Sequence, residues 1–126
     1  VSVKSAEEFG NPNVVKVVFD STGRAMYFSR AGIPAGGHGQ NYASIWRGAW
    51  RHLGLYAYRP DALHRLSQTA PCALEETERL EQLRAMWLGM TIMIEPDEEA
   101  HGPDVDTADD LDKVAAILRS ELSNET

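Results

Sequence analysis

The sequence predicts an α/β fold: a mixed β-sheet with flanking helices. Three observations carry that expectation. Val14-Val15-Lys16-Val17-Val18-Phe19 is a short β-branched run followed by turn residues and a second short run. Residues 51–59 alternate in character at period two, and residues 74–88 and 107–122 repeat at helical spacing. The chain has 126 residues, 43% of them apolar and 25% charged, which is the length and balance of one globular domain covering 1–126.

In chain order, Val14–Phe19 reads as a strand, Asp20-Ser21-Thr22-Gly23 as a turn with Gly23 at positive φ, and Ala25–Ser29 as the returning strand of a hairpin. Gly32, Gly36, Gly37 and Gly39 mark a loop to about Gln40, and residues 32–50 form a variable segment within the domain. Asn41–Trp50 fits either a short helix or an irregular apolar anchor built on Trp46 and Trp50. Arg51–Arg59 is predicted as a strand. Pro60, whose missing N–H costs nothing at a first helical position, opens a short helix over about Asp61–Ser67. Leu74–Leu88 is predicted as one helix stopped by Gly89, and Thr91–Ile94 as a strand ended by Pro96. After an acidic loop, Thr107-Ala108-Asp109-Asp110 caps a final helix with Leu111, Val114, Ala115, Leu118 and Leu122 on one face.

Charge and cysteine content narrow the function. Twelve basic against nineteen acidic residues leave a net charge of −7, which argues against a nucleic-acid partner. Cys72 is the single cysteine, so an intrachain disulfide and a CxxC zinc site are excluded and a reducing cytoplasm is the expected compartment. No apolar run reaches the ~18–20 residues of a membrane helix, and Val1–Pro12 does not read as a secretory leader. There is no P-loop, nucleophile elbow or G-x-G-x-x-G; His38 and His101 lie in loops without partners at metal-ligand spacing, and His64 is expected to face solvent on its short helix.

Two stretches can carry chemistry. On a strand over 51–59, His52, Gly54, Tyr56 and Tyr58 share one face. His52 and Tyr56 would stand ~13 Å apart at ~3.3 Å per residue, with bare backbone at Gly54 over which a small polyhydroxylated ligand could lie. The same aromatics could equally cover the core. On a helix over 74–88, Glu75, Glu78 and Gln82 form a polar stripe opposite Leu80, Leu83 and Trp87, suited to accepting hydrogen bonds from hydroxyls and equally to facing water. Asp106, just before a helix N-terminus, is either a dipole-favoured carboxylate or one ligand of a magnesium ion held jointly with phosphate.

Five collinear segments resemble the C-terminal half of the 3-deoxy-manno-octulosonate cytidylyltransferases, the CMP-Kdo synthetases. They are Asn11–Val18, Tyr27-Phe28-Ser29-Arg30-Ala31 with Ile33-Pro34, Arg51–Arg59, Leu74-Glu75 through Leu80–Arg84, and Val105-Asp106-Thr107 with Asp110-Leu111. The resemblance implies half of a Rossmann-like nucleotide-diphospho-sugar transferase fold. It also implies a magnesium-dependent reaction joining CTP to the sugar acid Kdo with release of pyrophosphate.

By the same resemblance His52, Tyr56, Glu78, Glu81, Gln82, Ser29 and Arg30 are substrate-binding residues and Asp106 is the magnesium ligand. The segment Ala35-Gly36-Gly37-His38-Gly39 departs from the family, which carries an aromatic and charged run there. The family's arginine- and lysine-bearing glycine loop for the triphosphate, and its Gln-Gly-Asp segment, have no counterpart in these residues. With a net charge of −7 and no phosphate loop, CTP binding by this chain alone is not expected. The expectation is a truncated homologue that keeps the Kdo side of the site, is inactive by itself, and forms a homodimer through apolar surface around Trp46 and Trp50. Alternatives are a non-enzymatic assembly module and one half of a split enzyme.

Overall fold

The computed structural model describes residues 1–38, 41–97 and 108–124. The elements in order are α1 (Ala6–Gly10), β1 (Lys16–Phe19), β2 (Ala25–Ser29), α2 (Tyr42–Ile45) running into a 3₁₀ turn (Trp46–Gly48), β3 (Trp50–Arg51), α3 (Pro60–Ser67), α4 (Ala73–Glu78), α5 (Gln82–Trp87) and α6 (Ala108–Asn124). The fold is α/β, with a small sheet of order β2-β1-β3 whose pairings are antiparallel.

The hairpin forms as its sequence dictates. Asp20 Oδ1 accepts hydrogen bonds from the Thr22 N–H (2.8 Å), the Thr22 hydroxyl (2.6 Å) and the Arg24 N–H (3.1 Å), closing the turn, and Gly23 sits at φ +83°. Alternation then puts Val17 opposite Phe28 on one face and Lys16 opposite Ser29 on the other. Phe28 has no exposed surface; with Val17, Ala25, Leu80 and Leu83 it makes the main core, which Phe19, Trp50, Met86, Ile92 and Ile94 surround. A second cluster joins Val3, Phe9 and Ala49, with Ile45 and Trp46 against it. Ser5 starts α1 by accepting from the Glu8 N–H (3.0 Å), and this helix delivers Phe9 to that cluster.

Four expectations need correction. Arg51–Arg59 is not a strand: the ladder stops at Arg51, since beyond it the described residues supply no partner strand. Leu74–Leu88 is two helices, because Arg79 adopts a left-handed conformation (φ 54°, ψ 49°) and the Leu80 N–H closes back on the Glu75 carbonyl. Thr91–Ile94 is reduced to a bridge between Met93 and Arg24, beside bonds from the Ala25 N–H to Ile92 and from the Ile94 N–H to Gly23. Trp46 and Trp50 are half-buried against the two clusters and do not form an open apolar surface.

The helix starting at Pro60 and the stop at Gly89 (φ +75°) are found as expected. The segment 41–50 resolves into a short helix, a 3₁₀ turn and the start of β3. In α6, Val114 and Ala115 are half-buried while Leu111 and Leu118 remain exposed. The Thr107 cap, His101, most of the acidic loop and Asp106 lie outside the described residues. Among the described residues, no helix is long and apolar enough to cross a membrane.

Candidate functional site

The segment after β3 builds one side of the site. The His52 N–H donates to the Val15 carbonyl (2.9 Å), holding the residue beside the sheet, and its ring meets Phe28 edge-on at 5.3 Å between centroids. Gly54 then takes φ +73°, and its N–H donates to His52 Nε2 (3.2 Å), which fixes that nitrogen as an acceptor. The chain therefore curls instead of extending. His52 and Tyr56 come to 5.2 Å between ring centroids and Tyr56 stacks on Tyr58 at 5.7 Å. Alternation correctly grouped these three aromatics. The expected gap over Gly54, with a ligand held from both ends, is replaced by a continuous aromatic row.

That row walls a cleft of about 660 Å³, floored by Phe28 and Trp50 and closed on the far side by residues 90–97. The size is ordinary for a small-molecule site. Burial raises the Tyr56 hydroxyl pKa strongly, with Tyr58 and the Glu81 carboxylate adding to it; burial and Glu81 also raise Tyr58. Both phenols remain hydrogen-bond donors at neutral pH, and Glu81 is the anion that acts on both.

The expected stripe along residues 74–88 is divided by the break at Arg79, and its members go to different tasks. Glu75 binds Arg84 through two bonds, Nε to Oε2 at 2.7 Å and the second guanidinium nitrogen to Oε1 at 2.6 Å. The same guanidinium donates to the Leu66 and Thr69 carbonyls, so the pair ties α3, α4 and α5 together. The Arg84 bond holds the Glu75 carboxyl below the usual range.

Glu78 accepts from the Ser29 hydroxyl (2.7 Å), the Arg30 N–H (3.0 Å) and the Tyr27 hydroxyl (3.4 Å). Partial burial pushes its pKa up, but these donors and the Arg30 charge outweigh burial and leave it lowered. Arg30 spends its guanidinium on the carbonyls of Glu78 (2.9 Å), Pro12 (3.0 Å) and Arg79 (3.3 Å). Ser29, Arg30 and Glu78 thus form one internal joint between β2 and the end of α4. Tyr27 and Ser29 alternate with Phe28 along β2, so the Glu78 carboxylate and the His52 ring are held from opposite faces of that strand.

Gln82 is 6% exposed, and its side-chain nitrogen has no hydrogen-bond partner among the described residues. A buried amide donor left unmatched costs about 1–3 kcal/mol. Sequence reasoning selected Gln82 but overlooked Tyr27 and Lys16, which the hairpin parity of residues 16 to 29 would have placed beside Ser29.

The pattern of the cytidylyltransferase family matches residues 1–92. The chain belongs to that family. It is similar to the 3-deoxy-manno-octulosonate cytidylyltransferase of Alcanivorax borkumensis, at 44% identity over 123 residues, covering 93% of this chain and 48% of the relative. The corresponding protein of Aeromonas hydrophila is 47% identical over 120 residues, covering 94% and 47%. The fold is similar to that of a CMP:2-keto-3-deoxy-manno-octonic acid synthetase solved in complex with CTP, with a TM-score of 0.77 and 39% identity over 94% of this chain and 46% of that one. This cytidylyltransferase-family chain therefore spans about half the length of the relatives it matches.

Proposed function

We propose that the chain forms the sugar-acid side of a CTP:Kdo cytidylyltransferase, corresponding to the C-terminal half of such an enzyme. Identity of 44–47% across more than nine-tenths of the chain to proteins of that name carries the reading. In this proposal His52, Tyr56, Glu81 and Gln82 contact Kdo. The imidazole and phenol pack on the sugar carbons, the Tyr56 hydroxyl and Gln82 amide donate to sugar oxygens, and Glu81 accepts from sugar hydroxyls. Ser29, Arg30 and Glu78 act at one remove. Their mutual bonds lock the end of α4 and so fix where Glu81 and Gln82 begin α5.

Magnesium belongs to the proposal only through Asp106. Among the described residues no group of three or more His, Cys, Asp or Glu side chains is placed to hold a metal ion. A magnesium site built on phosphate oxygens needs one or two protein carboxylates, of which Asp106 would supply one. No step is derived through the ion. The described residues also offer no phosphate cradle, and catalysis of phosphoryl transfer depends on positioning and charge neutralisation. We therefore expect the 126 residues alone not to turn over CTP. A homodimer and a reducing, cytoplasmic setting, which the lone buried Cys72 suits, complete the proposal.

Calorimetric titration of Kdo onto the chain tests the reading. Binding is expected, with His52→Ala weakening it about tenfold through lost apolar packing on the sugar and Gln82→Leu weakening it about tenfold through one lost hydrogen bond. No detectable heat for the wild type, or unchanged affinity in both variants, would refute the assignment. Formation of CMP-Kdo by these residues alone would overturn the claim of inactivity, and sedimentation equilibrium checks the dimer.

A further inference from the structure

One buried charge has no part in the site as assigned. Lys16 opens β1 on the face it shares with Ser29, and it has no exposed surface. Its ammonium donates to three carbonyls, those of Asn11 (2.8 Å), Val14 and Arg30 (2.7 Å), which engages every donor it has. Asn11 and Val14 lie on the approach to β1, whereas Arg30 directly follows β2. The side chain thus staples the entry of one strand to the exit of the other.

The staple leads on to α5. The Arg30 carbonyl and the Ala31 N–H belong to one planar peptide unit. That N–H donates to Ser29 Oγ (3.0 Å), and the Ser29 hydroxyl donates in turn to Glu78 (2.7 Å). Lys16 therefore fixes one end of a rigid plane whose other end steadies the hydroxyl on the carboxylate. Arg30 continues the line, its N–H reaching the Glu78 carboxylate (3.0 Å) and its guanidinium the carbonyls of Glu78 (2.9 Å) and Arg79 (3.3 Å). Arg79 is the left-handed residue between α4 and α5, immediately ahead of Leu80, Glu81 and Gln82.

We propose that Lys16 is a positioning residue for the sugar-acid site: by holding the Arg30 carbonyl it sets the turn at Arg79, and with it the places of Glu81 and Gln82. It touches no ligand itself, since its donors are already engaged. Buried ions are often no more stabilising than apolar residues of like volume, so this one is read by what it fixes. An apolar side chain of equal length would leave the Arg30 carbonyl unmatched and free to swing, and the Ser29 and Glu78 bonds with it. The inference rests on the reading of the sugar-acid site given above.

Kdo titration and amide hydrogen exchange on the 126-residue chain test it. Lys16→Ala removes a propylammonium group, which free n-propylammonium can replace. The variant is expected to bind Kdo about tenfold more weakly and to exchange the Leu83 and Arg84 amides, bonded to Leu80 and Glu81, about tenfold faster. Adding n-propylammonium should return both to within about twofold of wild type, whereas tetramethylammonium, which has no N–H, should not. In a Gln82→Leu background the same substitution should weaken binding only about threefold, because one contact it positions is already gone; a general loss of fold would act equally in both backgrounds. If Lys16→Ala does not fold, the wild type decides: coupling is reciprocal, so saturating Kdo should slow hydrogen exchange of the Lys16 ammonium about tenfold by NMR. Unchanged Kdo affinity in the variant, failure of n-propylammonium to restore it, or an ammonium indifferent to Kdo would overturn the proposal. Absence of Kdo binding by the wild type refutes the sugar-acid reading instead, and the Leu83 and Arg84 amides then still show whether Lys16 sets the turn.

Discussion

Replacing Glu78 with alanine strips the acceptor from three donors at once. The Ser29 hydroxyl is 2.7 Å from the carboxylate and the Arg30 N–H 3.0 Å, while the Tyr27 hydroxyl is distant at 3.4 Å. Ser29 is 2% exposed, so water cannot readily replace the lost oxygen there. Two sound bonds to a charged acceptor, each worth about 1.5–3 kcal/mol and lessened where solvent reaches the carboxylate, set the loss at about 2–4 kcal/mol. Glu78→Gln keeps one acceptor oxygen and should lose about half of that. Urea unfolding of both variants at pH 7, followed by circular dichroism, gives the comparison. If Glu78→Ala unfolds within about 0.5 kcal/mol of the wild type, the joint between β2 and α4 is not where stability resides. Should Kdo affinity vanish with stability untouched, Glu78 would have to be moved back among the groups that touch ligand.

Acid should unfold the chain through Glu75 and Glu78. Both carboxyls titrate below their ordinary 4.5 when folded, so their stabilisation is complete above about that pH and disappears as pH falls through the folded values; Glu75→Gln should flatten the acid limb of a stability–pH curve. Alkali acts with the opposite sign: Tyr56 keeps its proton beyond the ordinary 10.0 when folded, so stability declines above that pH, and Tyr56→Phe should remove a phenol that ionises after Tyr27 and Tyr58 in ultraviolet titration. Gly32→Ala would bring a methyl within 2.6 Å of the Phe9 ring, which is 2% exposed and cannot retreat, costing about 1–3 kcal/mol in denaturant melts. Phe28→Ala empties the centre of the main core and should cost about 3–5 kcal/mol by the same measurement.

What could be read in advance was whatever a short stretch of chain settles for itself. Asp20 to Gly23 closes its own turn, and Pro60 starts its own helix. The failures share one cause. Residues 74–88 consist of good helix formers, and nothing local marks Arg79 as a stopping point. The break is held by Arg30, 49 positions away in sequence, reaching the Arg79 carbonyl. Residues 52–58 alternate as a strand should, but a strand also needs a neighbour, which periodicity does not supply. The same division runs through the site. Alternation grouped His52, Tyr56 and Tyr58, whereas the separation of Glu78 from Gln82 depended on the fold around Arg79.

Lys16 has a consequence of its own. It has no exposed surface, and its ammonium donates to the carbonyls of Asn11 (2.8 Å), Val14 and Arg30 (2.7 Å). Burial lowers its pKa, and the neighbouring Arg30 charge lowers it further. Three oxygens converging on one enclosed positive charge is an arrangement elsewhere filled by a potassium ion. Here the cation is tethered to β1, so this corner of the molecule needs no dissolved salt to assemble, and reagents that label amines should find Lys4 long before they find Lys16.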